Sequence, residues 1–162
     1  MSEDRGLLRI LSASVCDTWV DYNGHMGDYA YGIVFSDAAT AYMDRIGIDE
    51  AYRTETAATL YTLDIRIGFL KECHAGEALH VDILVLAADA KRLHLFMRLV
   101  NSAGEELALC EQVLMHVSRA EGMPRSASLP ERSLERLMTD LEAHSDIERP
   151  AWLSRRIGLS RG

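Results

Sequence analysis

One stretch dominates the folding problem of this chain. From Gly27 to Gly47, apolar residues recur as Tyr31, Val34, Phe35, Ala38, Ala39, Tyr42, Met43 and Ile46. That i, i+3, i+4, i+7 spacing marks one face of a helix sustained over about five turns. Between residues 27 and 46 the only charges are Asp28, Asp37, Asp44 and Arg45, while the other faces hold Ala30, Gly32, Ile33 and Ala41. A helix with so little polar surface is expected to be wrapped rather than laid on an exterior. Gly47 follows the last periodic residue and can take the left-handed conformation that stops a helix.

After the helix the period changes to two. From Leu60 to Leu70, Tyr61, Leu63, Ile65, Ile67 and Phe69 alternate with Thr62, Asp64 and Arg66. This predicts a strand with the first set towards the core. Leu79–Leu86, Leu93–Val100 and Leu107–Val117 continue the sheet, and Gly76, Asp89-Ala90-Lys91 and Ser102-Ala103-Gly104 mark the turns. Connections this short make the strands mostly antiparallel. Leu7–Val15 reads as a first strand, and a second helix is expected over Pro130–Ala143 with proline at its opening. The expected class is α+β, with an antiparallel sheet of about five strands wrapped around one long helix and followed by a helical tail. Its edge strand needs cover, so a homodimer or homotetramer is expected.

The 162 residues suit a single domain. Seventeen basic and 25 acidic residues give a net charge of −8, which argues against a phosphate-tracking surface for nucleic acid. The charge is uneven: residues 1–57 carry four basic and ten acidic groups, residues 119–162 eight and seven. All three prolines, Pro124, Pro130 and Pro150, fall in the tail. The division expected is a body over 1–123 and a basic extension over 124–162 packed on it. Cys16, Cys73 and Cys110 form no CxxC pair, so neither a disulfide framework nor a zinc knuckle is indicated. Beside Cys73, His74 finds no second pair with ligand spacing, and no metal is expected. The first residues lack the pattern of a signal peptide, and no apolar run approaches a membrane span. The expected compartment is the cytoplasm.

The densest polar cluster is Asp21-Tyr22-Asn23-Gly24-His25-Met26-Gly27-Asp28, directly ahead of the long helix. A helix N-terminus presents unpaired N–H groups and about half a positive charge. It can polarise a carbonyl and hold the oxyanion formed on attack. A carboxylate beside it can attack an acyl carbon or activate water. Asp, Asn and Gly before a helix are also what a turn and cap require, and His25 alone can be a structural donor. Both readings stand at this point.

Asp21-x-x-Gly24-His25-Met26 followed by Tyr31 resembles the signature of hot-dog fold acyl-CoA thioesterases, the 4-hydroxybenzoyl-CoA thioesterase-like group. Trp19-Val20-Asp21-Tyr22-Asn23-Gly24-His25-Met26 is similar to the branch that includes betainyl-CoA thioesterases of carnitine breakdown, as are Tyr61–Arg66 and the Arg156-Ile157-Gly158-Leu159 ending. The resemblance implies that Asp21 is the catalytic carboxylate and that N–H groups near Gly24, His25 and Met26 polarise the thioester carbonyl. Asn23 would orient the water or the carbonyl. It implies no cofactor, coenzyme A being part of the substrate, and a site completed by a partner subunit. Asp64 is the second polar contributor expected there; its alternative is an ion pair with Arg66 on the same face. Trp19, Tyr22, Tyr29 and Tyr31, with Asp64, could cage a trimethylammonium group or simply pack as aromatic core. Two departures bear on the substrate: relatives often carry Asn where Gly27 stands, and the carnitine-linked branch often has His where Arg66 stands.

The basic residues are the expected seats of the CoA phosphates: Lys91 and Arg92 at a strand turn, with Arg119, Arg125, Arg132, Arg136, Arg149, Arg155, Arg156 and Arg161. Two other activities compete with acyl-CoA hydrolysis. An enoyl-CoA hydratase or dehydratase of the same fold would carry Pro after the Asn and one more residue before the His, which Asn23-Gly24-His25 lacks. A non-catalytic acyl-CoA binding module finds no positive support in the sequence.

Overall fold

The computed structural model describes residues 6–159, so Arg161 lies outside the described residues. Strand β1 (Leu8–Ser14) and a single 3-10 turn (Asp17–Trp19) lead to helix α1 (Asp28–Arg45). A short helix α2 (Glu50–Thr56) follows, then β2 (Ala58–Phe69), β3 (Ala78–Ala88), β4 (Arg92–Asn101) and β5 (Glu106–Ser118). The tail supplies a two-residue strand β6 (Arg125–Ser126), helix α3 (Glu131–Ala143) and a second 3-10 turn (Ala151–Ser154). The strand order is β1-β3-β4-β5-β2, with β6 added beside β5, and every pairing is antiparallel.

Helix α1 forms where the periodicity places it and stops at Gly47, whose φ is +91°. Its face of Val34, Phe35, Ala38 and Tyr42 is buried against the inner side of the sheet, where Leu79, Val81, Ile83, Leu95, Met97, Leu99 and Cys110 complete the core. The wrapping is incomplete. Tyr29, Ile33, Ser36, Asp37 and Thr40 form an exposed stripe along the helix. Helix α2 was not expected from the apolar pattern, because it buries no residue; its signal is the Asp49 cap, whose carboxylate accepts the Tyr52 N–H at 2.9 Å. Pro130 proves to be the cap before α3 rather than its first helical residue.

The alternation predicted for β2 breaks midway. A bulge between Thr62 and Asp64 inserts Leu63, so the strand changes phase. Leu60, Thr62, Ile65 and Ile67 sit opposite His116, Leu114, Gln112 and Cys110 on the inner face. Tyr61, expected towards the core, instead shares the outer face with Asp64 and Arg66. β2 is also an edge strand, and Leu63, Ile65 and Phe69 are exposed.

The tail closes the fold in two places. Leu129 and Leu137 enter the main core. Asp140 receives both branches of the Arg45 guanidinium, at 2.9 and 2.7 Å, and the Tyr42 hydroxyl at 3.0 Å. His144 accepts the Val85 N–H at 2.9 Å through Nδ1, beside a bulge in β3. Burial lowers its pKa, which favours the neutral ring that such acceptance requires. Further on, Trp152 and Leu153 cover Leu84, Leu86, Phe96 and Leu109 on the outer face. Arg66 stacks over the Trp152 ring, 3.8 Å from its centroid, and pairs with Glu111 at 2.9 Å.

Candidate active site

The Asp21 loop is a tight hairpin between Val20 and Met26, which face each other across an isolated antiparallel bridge. Gly24 takes φ +79° at its tip, where a side chain would strain the backbone. Asp21 Oδ1 accepts two backbone N–H groups, from Asn23 at 2.8 Å and His25 at 3.2 Å. Those bonds fix the carboxylate. Oδ2 makes no hydrogen bond among the described residues and is the atom left for chemistry. The residue is exposed, one short loop ahead of the N-terminus of α1.

The same hydrogen bonds shift where a carbonyl could be polarised. The His25 N–H is held by Asp21 itself, that of Gly24 by Asp21 O at 3.0 Å, and that of Met26 by Cys73 O at 2.9 Å. Gly27 N–H reaches Trp19 O at 2.8 Å. The first helical N–H, that of Asp28, has no acceptor among the described residues, and it points the helix dipole at the loop. Across residues 23–28, the Asp28 N–H is thus the one without an acceptor among the described residues.

A second loop props up the first. Its residues Lys71, Glu72, Cys73 and His74 connect β2 to β3, and His25 and His74 form an isolated antiparallel bridge. His25 Nε2 lies 3.3 Å from Glu72 Oε2, and its ring meets that of His74 edge-on at 4.9 Å. Tyr31 is buried, with its hydroxyl donating to Lys71 O at 3.2 Å and lying 3.5 Å from Cys73 Sγ. Burial pushes its phenol far above the usual range, so it stays protonated. Burial likewise raises the Cys73 thiol, which points at Met26 Sδ rather than beside the His74 ring. Tyr31 is thus a brace between α1 and this loop. Glu72 escaped the sequence reading, and His74 entered it only as the neighbour of Cys73.

The proposed aromatic cage is not assembled within one chain. Tyr31 is buried, Tyr22 is 97% exposed, and Asp64 stands on the outer face of the sheet, away from α1. Trp19 is half-buried against the core, and Tyr29 turns back to give its hydroxyl to Thr18 O at 2.9 Å. A Cβ at Gly27 would stand 2.5 Å from the Tyr29 ring, so that ring fills the space a side chain at position 27 would use. The alternative for Asp64, a pair with Arg66, is not formed among the described residues, because Arg66 is taken by Glu111 and the tail.

Lys91, Arg92, Arg119 and Arg125 do come together, at one end of the sheet. His116 N–H reaches Lys91 O at 2.8 Å, Lys91 Nζ lies 3.4 Å from Ser126 Oγ, and Ser118 pairs with Arg125. Arg119 donates to the Tyr61 hydroxyl. Arg92 binds Asp89, and that hydrogen bond, with the Lys91 N–H, holds the Asp89 carboxyl down at about 2. This end is opposite to the Asp21 loop in the same chain, since β5 runs from beside Lys71 to beside Arg119. Two tail arginines are spent on main-chain carbonyls: Arg136 on Arg45 O and Arg149 on Leu86 O.

A curled antiparallel sheet closed on one long helix, with an aspartate hairpin at the helix N-terminus, defines a hot-dog fold of the thioesterase type. The chain belongs to the thioesterase-like superfamily, whose family model matches residues 15–137. It is 40% identical to the betainyl-CoA thioesterase of Pseudomonas aeruginosa over 94% of this chain and 96% of that protein. It is 34% identical to the L-carnitine dehydrogenase/betainyl-CoA thioesterase of Rhizobium meliloti over 96% of this chain, but spans only 31% of that protein's length. Among solved structures, a hypothetical protein of Staphylococcus aureus in complex with CoA superposes with a TM-score of 0.87 at 26% identity, covering 95% of this chain and 97% of that one. No helix among the described residues is long and apolar enough to cross a membrane.

Proposed function

We propose that this protein is an acyl-CoA thioesterase acting on a small acyl group. The observation that carries the reading is the Asp21 carboxylate, pinned through Oδ1 with Oδ2 free, one loop ahead of the open N-terminus of α1. Two routes use the same atoms. As nucleophile, Oδ2 attacks the thioester carbon, the carbonyl electrons move to an oxygen facing the Asp28 N–H, and the CoA thiolate leaves. Water then opens the resulting anhydride. As base, Oδ2 takes a proton from water while the hydroxide attacks. Asn23, beside it in the hairpin, is the side chain assigned to hold the water or the carbonyl. Coenzyme A is part of the substrate, and no separate cofactor is invoked.

The relatives' names make betainyl-CoA the first substrate to try. The phosphate assignment goes with a homodimer joined along β2, which is part of the same proposal. Two-fold antiparallel pairing of β2 edges sets the Phe69 end of one strand beside the Ala58 end of the other. The Lys91–Arg119 end of one subunit then approaches the Asp21 loop of its partner, as a long CoA arm requires. The exposed Leu63, Ile65, Phe69 and Ile33 are the apolar surface such a joint would cover. In this reading residues 1–123 carry the chemistry, and 124–162 are a basic extension that completes the core. The cytoplasm is the proposed compartment, in keeping with three cysteines present as free thiols.

The test is thiol release from betainyl-, short aliphatic and aryl-CoA by wild type and Asp21→Asn. Loss of about a hundredfold or more in the variant is expected. Full activity in Asp21→Asn on a good substrate would refute the assignment. Loss of enoyl absorbance without thiol, or binding without turnover, would refute the hydrolase itself.

A further inference from the structure

We propose that His25, Glu72 and His74 form a binding site for one divalent transition ion of the zinc class, tying the Asp21 hairpin to the β2–β3 loop. Each residue offers one ligand atom, and the three atoms lie within 4.8 Å of one another. His25 Nε2 and Glu72 Oε2 are already 3.3 Å apart. Two ligands with bonds near 2.0–2.1 Å to one tetrahedral ion stand roughly 3.3–3.4 Å apart. The third ligand needs a side-chain adjustment of at most about 1.5 Å, which an exposed imidazole makes by rotations of its side-chain torsions.

The backbone prepares the geometry. His25 and His74 face each other across an antiparallel bridge, and the Met26 N–H to Cys73 O bond of 2.9 Å fixes the loops in that register. The tautomer is prepared as well. Glu77 Oε1 lies 2.9 Å from His74 Nδ1 and accepts the His74 N–H at 3.0 Å. A carboxylate can only accept, so Nδ1 is the donor in that bond and Nε2 is the nitrogen left to take an ion. Carboxylates play this role behind metal-bound histidines. Two imidazoles and one carboxylate select zinc-class ions over magnesium or calcium, and leave a fourth position for water. The Coulomb alternative, a protonated His25 paired with Glu72 alone, explains neither the facing His74 nor its carboxylate partner. The inference does not rest on the thioesterase reading.

The experiment is calorimetric titration of the full chain with zinc chloride in a non-chelating buffer, with a melting curve at each end point. One ion per chain and a raised Tm are expected for wild type. His74→Ala and Glu72→Gln should each weaken binding more than tenfold and abolish the Tm rise. Glu77→Gln, which removes only the orienting carboxylate, should weaken binding by about tenfold. His80→Ala, a histidine outside the cluster, should bind as wild type does. No saturable binding, unchanged affinity in His74→Ala and Glu72→Gln, or an equal loss in His80→Ala would each overturn the proposal.

Discussion

Replacing Asp140 by Asn tests the joint between the tail and the central helix. The Asp140 carboxylate takes two hydrogen bonds from Arg45, at 2.9 and 2.7 Å, and one from Tyr42 at 3.0 Å. An asparagine keeps the shape but offers one acceptor, so its NH2 must face a guanidinium or a hydroxyl. Breaking a fully buried pair costs about 3–5 kcal/mol. Here the Asp140 side chain is 10% exposed but that of Arg45 is 44% exposed, so water screens part of the attraction. We therefore expect a loss of about 2–3 kcal/mol, or roughly 4–12 °C in Tm for a domain of this size. The pH dependence follows from the carboxyl's titration. Burial alone would raise its pKa, but the Arg45 and Tyr42 hydrogen bonds outweigh it and hold the value below the ordinary 3.8. The unfolded chain thus binds the proton first as pH falls. The gap between wild type and Asp140→Asn should be complete above pH 3.8 and close as pH drops through the folded value. Thermal melts followed by circular dichroism across that range give the answer. Equal melting at neutral pH, or a gap undiminished in strong acid, would refute the reasoning.

Other perturbations have equally definite outcomes. Gly24→Ala meets no atom within 4 Å, so its cost is backbone strain alone, about 1–2 kcal/mol; thiol release should fall, whereas Gly76→Ala, strained alike at φ +83°, should leave it unchanged. Gly68→Ala places a Cβ 2.7 Å from Trp152 Nε1 and should displace the indole, seen as faster amide exchange over residues 150–156. Lys91→Ala with Arg119→Ala should raise KM for an acyl-CoA with kcat nearly unchanged, the mark of lost binding that is equal in ground and transition states.

The central helix is legible in the sequence because it buries one face with a fixed period, and the long strands because apolar runs stand between turn residues. Gly47 is legible as a stop because only a residue without Cβ reaches φ +91° cheaply. The bulge at Leu63 is not. No glycine marks it, and an exposed leucine at the right parity reads as core. α2 hides because it is short and brings only Tyr52 against the core. At the site, the hairpin of Asp21 and Gly24 is written locally and can be read. The meeting of His25 with His74 depends on pairing between distant segments, which no local pattern records. The tail misleads through its charge. Its arginines invite a reading as phosphate ligands, yet Arg136 and Arg149 cap carbonyls while Leu129 and Leu137 sit in the core. Cutting the chain at Pro124 would therefore unfold the body rather than merely weaken substrate binding.

The cover laid over the outer face of the sheet also limits how subunits can be stacked. Leu84, Leu86, Phe96 and Leu109 would offer a flat apolar plate for another sheet to press upon, but Trp152 and Leu153 already occupy it. In the proposed assembly, subunits would meet through the strand edges or the open stripe of α1. The tail thus fills, from within a single chain, a plate that a second sheet would otherwise use.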